Sequence, residues 1–336
     1  MDEAALEAEL SEPYPELTAA LRRVQGDILV LGAAGKMGPS LAAMAVRASV
    51  DAGVARRVFG VARFLDRTNR DLLERAGVET IAGDLFNADF LAALPPAANV
   101  LYLVGQKFGT TGLEARTWAI NAWLPGAIAQ RFADSRIVAF SSGNVYPLWP
   151  VASNGPDEEA PTGPIGEYAQ SVLARERVLH FFSERQQTPM ALLRLNYAVE
   201  PRYGVLRDIA DHVFRGEPVD LAMGFVNVIW QRDADAIALR ALEHCTVPPL
   251  VLNVTGPKAS VREIAEALGR RLGRAVVFRG EERETALLSD ASRCDLAFGP
   301  PPLGLDLMID RVASWVAAGG RSLDKPTHFA EREGRF

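Results

Sequence analysis

Residues 28–38 read ILVLGAAGKMG, in which four apolar residues run into Gly32, Gly35 and Gly38 at three-residue spacing. A helical pattern follows at 39–52 with Pro39 at its first turn, where a missing N–H leaves no helical bond unmade. A buried strand that enters a helix through such a turn reads as the start of a dinucleotide-binding βαβ unit. Glycine admits the tight turn, lets backbone approach a pyrophosphate and lets the helix pack closely on the strand. The free N–H groups and positive dipole end of the helix suit the phosphates. Lys36 and Met37 lie inside the loop, so the expected cradle is Gly32, Gly35, Lys36, Met37 and Gly38.

Working outward, apolar runs alternate with helical patterns: VFGVAR at 58–63, a helix at 69–76, VETIAGD at 78–84, a helix at 87–93, NVLYLVG at 99–105, a helix at 113–133 and RIVAFSS at 136–142. Buried strands alternating with helices predict an α/β fold of Rossmann type, a doubly wound parallel sheet covered on both faces. MALLRLNYA at 190–198 continues the pattern, which then loosens. VNVIW at 226–230, PLVLNVTG at 249–256 and AVVFRG at 275–280 are strand candidates, and SVREIAEALGRRLG at 260–273 is an amphipathic helix. The expected organisation is a helical extension at 1–26, a dinucleotide-binding domain at 27–195 completed by about 226–245, and a smaller C-terminal substrate lobe from 196–225 and 246–336. Its last stretch, RSLDKPTHFAEREGRF, reads as an extended tail that packs on its own or a neighbouring subunit.

The strand ends refine the cofactor reading. An acid closing the second strand holds the ribose of NAD, whereas a cation there accommodates the 2'-phosphate of NADP. Arg63 occupies that place, with no acid before Asp66, which favours NADP over NAD. Asp84 and Leu85 close the third strand and are expected to border the adenine; Val104 and Gly105 close the fourth.

Composition excludes several other classes. The chain has 336 residues, a formal charge of -6 from 36 basic and 42 acidic residues, and 49% apolar residues, which suits a soluble protein with a substantial core. No apolar run reaches the roughly 18 residues of a membrane span, and the acidic opening MDEAALEAELSEPYPE is unlike a signal peptide, so a cytoplasmic home is expected. Without a Lys/Arg block, nucleic acid is not an expected partner. Cys245 and Cys294 form no ligand cluster, so they read as buried apolar residues, with no metal site.

Three features together carry a family resemblance: the glycine loop, SSGNVYP at 141–147 after the fifth strand, and Tyr168 in GEYAQSV on the next helix. From about Asp27 to Gly319 the chain resembles an extended short-chain dehydrogenase/reductase of the NAD-dependent epimerase/dehydratase group. That resemblance makes Ser142 the residue that steadies the reacting oxygen and Tyr168, 26 residues on, the acid/base. It adds Asn196 in LRLNYA as a cofactor contact and a homodimer through the helices flanking the tyrosine helix. The family's lysine, four residues after the tyrosine, is here Val172. A phenol ionises near pH 10 unless a cation stands beside it, so a substitute is needed. Lys107, just after the fourth strand, is the expected one.

The family's nucleotide-sugar enzymes grip the diphosphate with an arginine, and the matching stretch LAMGFVNVIWQ at 221–231 has none. The expected activity is therefore NAD(P)-dependent oxidation, reduction or epimerisation at a secondary hydroxyl or ketone of a small sugar, sugar acid or related alcohol. The alternatives are a nucleotide-sugar epimerase or dehydratase and a non-catalytic dinucleotide-binding regulator. Asn196, Arg202, Tyr203, Trp230 and Gln231 are expected to line the crevice, with Asn121 linked to the site through water.

Overall fold

The computed structural model describes residues 1–65 and 67–335; Asp66, named above, lies outside the described residues. Seven parallel strands form the central sheet: β1 (Ile28–Leu31), β2 (Val58–Ala62), β3 (Glu79–Ala82), β4 (Asn99–Tyr102), β5 (Arg136–Ser142), β6 (Met190–Leu195) and β7 (Leu250–Val254). They stand in the order β7-β6-β5-β4-β1-β2-β3. The order reverses between β1 and β4, where Leu31 faces Tyr102, and such a switch point opens a crevice at the carboxyl ends of the strands.

The inner strands alternate their side chains between two apolar layers. Val30, Leu101, Val138 and Leu193 belong to one, with α2 (Pro15–Arg23) and α3 (Gly38–Asp51) above them. Leu29, Val100, Ile137 and Leu192 belong to the other, with Ile128 and Leu179 from helices on the opposite face. The continuous apolar runs follow from this burial on both faces.

A separate apolar cluster makes the lobe. It draws Ile209 from a helix at Val205–Arg215, Ile264 from one at Val261–Leu272 and Val312 from one at Leu305–Ala317. The N-terminal extension bridges the two bodies, because Leu6 and Leu10 enter the lobe cluster while Leu17 and Leu21 enter the sheet cluster. Glu7 on its first helix (Glu3–Leu10) pairs with Arg202 of the lobe, which also holds Glu200 at 3.1 Å.

Two expected boundaries change. VNVIW does not complete the sheet: Phe225–Asn227 pairs with Lys258–Ser260, and Ile229–Trp230 with Ala198–Val199. Leu250–Val254, assigned above to the lobe, is instead the outer strand β7, parallel to β6. A parallel neighbour needs a helical crossover before it. The helix before VNVIW, Val205–Arg215, packs into the lobe cluster, whereas Gln231–Arg240 places Ile237 and Leu239 in the sheet cluster and precedes β7, so the crossover onto the sheet leads to β7. Among its described residues the tail from Arg321 contains no helix or strand and folds back on its own subunit, where the Arg332 guanidinium donates to the carbonyls of Ala222 and Thr285. Among the described residues no helix is long and apolar enough to cross a membrane, and no three metal-ligating side chains gather.

Candidate active site

The glycine loop is a backbone cradle that side chains would fill. Gly32 follows β1 at φ +87, and a Cβ there would stand 3.1 Å from the Leu103 carbonyl carbon and the Val104 nitrogen. Gly38 opens α3, and its Cβ would come within 2.4 Å of the Ala33 carbonyl oxygen. The donor set is therefore main chain at a helix N-terminus, which fits a dinucleotide pyrophosphate. Gly38→Ala is expected to cost about 1–3 kcal/mol of stability, as overpacking does, and to weaken NADH binding. Denaturant melts and nucleotide fluorescence measure both; a variant equal to wild type would mean that the loop can shift to accept a Cβ.

Lys36 departs from its expected place at the phosphates. Its Nζ donates to the Ala198 carbonyl and lies 3.8 Å from the centre of the Tyr203 ring. Burial drives its pKa down to about 7 against the upward pull of Glu200 and Asp235. The cation inside the loop therefore ties the loop to the start of the lobe.

Opposite the loop, Ser142 at the end of β5 shares one cavity wall with Tyr168, and its Oγ donates to Asn144 Oδ1 at 3.0 Å. Ser142 Oγ also accepts from the Asn144 backbone at 3.2 Å, a bond that caps the short turn after the strand. Tyr168 sits in the first turn of a long helix at Gly166–Gln186. Val172, one turn on, is buried against Val145 and Tyr146, so no cation occupies the family's position. Lys107 does reach the site, with Nζ 5.8 Å from the centre of the Tyr168 ring and 5.5 Å from that of Tyr197. Burial lowers its pKa to about 8, with Asp208 pulling the other way. Burial raises the Tyr168 pKa, while the neighbouring Ser142 hydroxyl and the Arg175 charge lower it.

These groups line one cavity of about 250 Å³, which brings together Gly32, Gly35, Lys36, Met37, Gly38, Gly105, Lys107, Ser142 and Tyr168. Arg63 and Asp84 are exposed at their strand ends, Val104 is partly buried and Leu85 is buried, all outside this cavity. Asn196 is corrected to a packing role: its side chain lies beneath Gly143, where a Cβ would meet it at 2.7 Å, and its amide points to Ser289 at 3.3 Å. Of the other expected crevice residues only Tyr203 lines the cavity. Trp230 is fully buried in the lobe, and Arg202 is spent on Glu7 and Glu200. Gln231 is buried behind the loop, where it donates to Ser40 at 2.8 Å.

Asn121 bonds directly to the backbone of the loop after β4. It lies in a wide helical turn at Ala119–Trp123, accepts from the Gln106 backbone at 2.9 Å and donates to the Gln106 carbonyl at 2.9 Å. Single π turns of this kind often mark functional sites. Among the wall residues that the sequence reading missed are Arg175, Tyr197 and Thr327. Arg175 was detectable, because it stands seven residues after Tyr168 on the same helix face. Thr327 was not, since it arrives from the tail and is held by Asp208 at 2.7 and 2.6 Å.

Residues 28–215 match the model of the NAD dependent epimerase/dehydratase family. Among solved structures the chain is similar to a UDP-glucuronic acid 4-epimerase from Bacillus cereus in complex with UDP-glucuronic acid and NAD, at 18% identity and TM-score 0.73 over 87% of this chain and 99% of that one. It is also similar to an epimerase from Methanothermobacter thermautotrophicus, at 16% identity and TM-score 0.74 over 92% and 97% of the chains. A dTDP-glucose 4,6-dehydratase from Streptomyces venezuelae gives 17% identity and TM-score 0.73 over 87% and 97%. At these identities the likeness establishes the fold. No curated protein sequence is similar to the chain.

Proposed function

Because this chain belongs to the NAD dependent epimerase/dehydratase family, we propose that it oxidises, reduces or epimerises a secondary hydroxyl or ketone of a small sugar, sugar acid or related alcohol. The observation that carries this reading is the meeting of Ser142 and Tyr168 in a cavity whose opposite wall is the glycine loop. A nicotinamide dinucleotide, held by Gly32, Gly35, Met37 and Gly38, supplies the hydride acceptor or donor. Tyr168 Oη takes the proton of the reacting hydroxyl as its carbon is oxidised, and returns it on reduction. Ser142 Oγ steadies the same oxygen. Arg63, exposed just beyond β2, supports NADP over NAD.

Small substrates are favoured by the cavity's size and by the tail, whose Thr327 forms part of the wall. A nucleotide-sugar is the second reading. A further cavity of about 470 Å³ begins at Tyr203 and is lined by Arg215, Arg279 and Lys325, which suit a diphosphate, beside Asp208, Asp211, Asp220 and Asp324. A panel of polyols, sugar acids and nucleotide-sugars with NAD and NADP, followed by nicotinamide absorbance, tests both readings. Turnover of small alcohols supports the first, and turnover of nucleotide-sugars alone replaces it with the second. Nucleotide binding with no turnover, unchanged in Tyr168→Phe, would make the protein a regulator.

A homodimer fits the surface beside the tyrosine helix. Trp123 is 58% exposed and Phe181 53% exposed, and large aromatic side chains in solvent mark interaction faces. The wild type is expected to sediment as a dimer and the Trp123→Asp/Phe181→Asp variant as a monomer; equal sedimentation of the two would remove this face as the interface.

A further inference from the structure

Four arginines are buried in the described structure, and three have carboxylate partners: Arg194 with Glu176, Arg202 with Glu200 and Arg207 with Asp211. Arg175, 5% exposed, makes no ion pair among the described residues. Its Nε donates to the Asn121 carbonyl at 3.2 Å, its Nη1 to the Phe140 carbonyl at 2.6 Å and its Nη2 to Asn121 Oδ1 at 3.0 Å. A guanidinium has five N–H groups, so two are not used in these bonds. Neutral acceptors orient a buried cation without cancelling its charge, and an uncompensated buried charge is costly.

The surroundings are shaped for this cation. Tyr168, Val172 and Arg175 stand at i, i+4 and i+7 on one face of their helix. Val172 is turned into the apolar contact with Val145 and Tyr146, and the positive charge enters the cavity one turn later. Gly105 leaves it room, because a Cβ there would lie 3.1 Å from Arg175 Nη2 and 3.5 Å from Asn121 Oδ1. We propose that Arg175 supplies the positive charge that Val172 withholds, favouring the Tyr168 phenolate as a positioning residue within the cavity. The inference rests on the reading of Tyr168 as the proton-transfer group.

Several groups face the phenol. Ser142 comes from β5, Lys107 from the loop after β4, Arg175 from the same helix, and Tyr197 and Tyr203 from the segment after β6. Of the two cations, Lys107 loses its proton near pH 8. A guanidinium stays charged at any pH the fold survives. Arg175 is also the cation whose charge lowers the Tyr168 pKa.

The test titrates Tyr168 by phenolate absorbance, as the difference between each protein and its Tyr168→Phe counterpart, with circular dichroism confirming the fold. In Arg175→Met the midpoint is expected to rise by about 1–3 units, as when an opposite charge is removed from a neighbour. Arg175→Lys should hold it near the wild-type value, and Val172→Lys in the Arg175→Met background should bring it back down. Arg175→Gln, which keeps hydrogen bonding without charge, replaces Arg175→Met where that variant does not fold. A folded, uncharged variant with an unmoved midpoint overturns the proposal. No substrate is needed, so the result stands apart from the function reading, which full turnover in Tyr168→Phe would sink.

Discussion

Tyr168→Phe is expected to lower turnover about 10²–10⁴-fold, the span of a positioned acid/base, with the fold and the dinucleotide affinity nearly unchanged. The substitution removes one oxygen. The ring keeps its contacts with the apolar cluster of Val145, Tyr146 and Val172, and Ser142 keeps its bond from the Asn144 backbone. Each tenfold loss corresponds to about 1.36 kcal/mol of barrier, so the midpoint of the range asks about 4 kcal/mol of the hydroxyl. Ser142→Ala should cost less, because Ser142 orients the oxygen without moving its proton. Steady-state rates together with nucleotide titration separate a chemical defect from a binding one. A Tyr168→Phe protein that turns over within a few-fold of wild type would leave the family fold intact and remove the proposed chemistry.

Glu176→Ala is expected to lower stability by about 3–5 kcal/mol, the loss seen when one partner of a buried ion pair is deleted. Glu176 and Arg194 have side chains 3% and 7% exposed and meet through two bonds, at 2.8 and 3.0 Å. Ser141 Oγ donates to the same carboxylate. Arg194 Nη1 donates to Tyr146 Oη at 2.6 Å, and that oxygen lies 2.9 Å from Asn253 Oδ1. The network therefore joins the tyrosine helix to β5, β6 and β7 directly beneath Ser142 and Tyr168. Removing the carboxylate leaves the guanidinium charged in a dry site, whereas Glu176→Met with Arg194→Leu removes both charges and should recover most of the loss. Denaturant midpoints for the single and double variants check this. A Glu176→Ala protein as stable as wild type would show that water reaches Arg194.

Along the first half of the chain, local signals and long-range structure agree. Strands β1, β2, β4 and β5 are short apolar runs bounded by turn residues, and burial on both faces requires such a run, so sequence and sheet coincide. The glycine loop was legible for the same reason: its turn and its close approaches are local demands that only glycine meets. Beyond Leu195 that correspondence fails. VNVIW and LVLNV look alike as sequence, and the packing of the helix before each decides between them: Val205–Arg215 joins the lobe cluster and Gln231–Arg240 the sheet cluster.

The site divides along the same line. Gly32, Gly35, Gly38, Ser142 and Tyr168 follow from motifs whose spacing is set within one turn or one helix, so the sequence alone determines them. Asn196 carried a motif too, yet its side chain is used up beneath Gly143. The missing lysine could be seen as an absence at Val172, but what fills its role depends on which long side chain reaches back across two helical turns into the cavity. Tertiary structure alone decided that Arg175 enters without a carboxylate, that Lys36 leaves the phosphate loop for Ala198, and that the tail delivers Thr327. The physical reason is reach: a flexible charged side chain can serve any acceptor within several ångströms, and only the packed neighbours determine which one it finds.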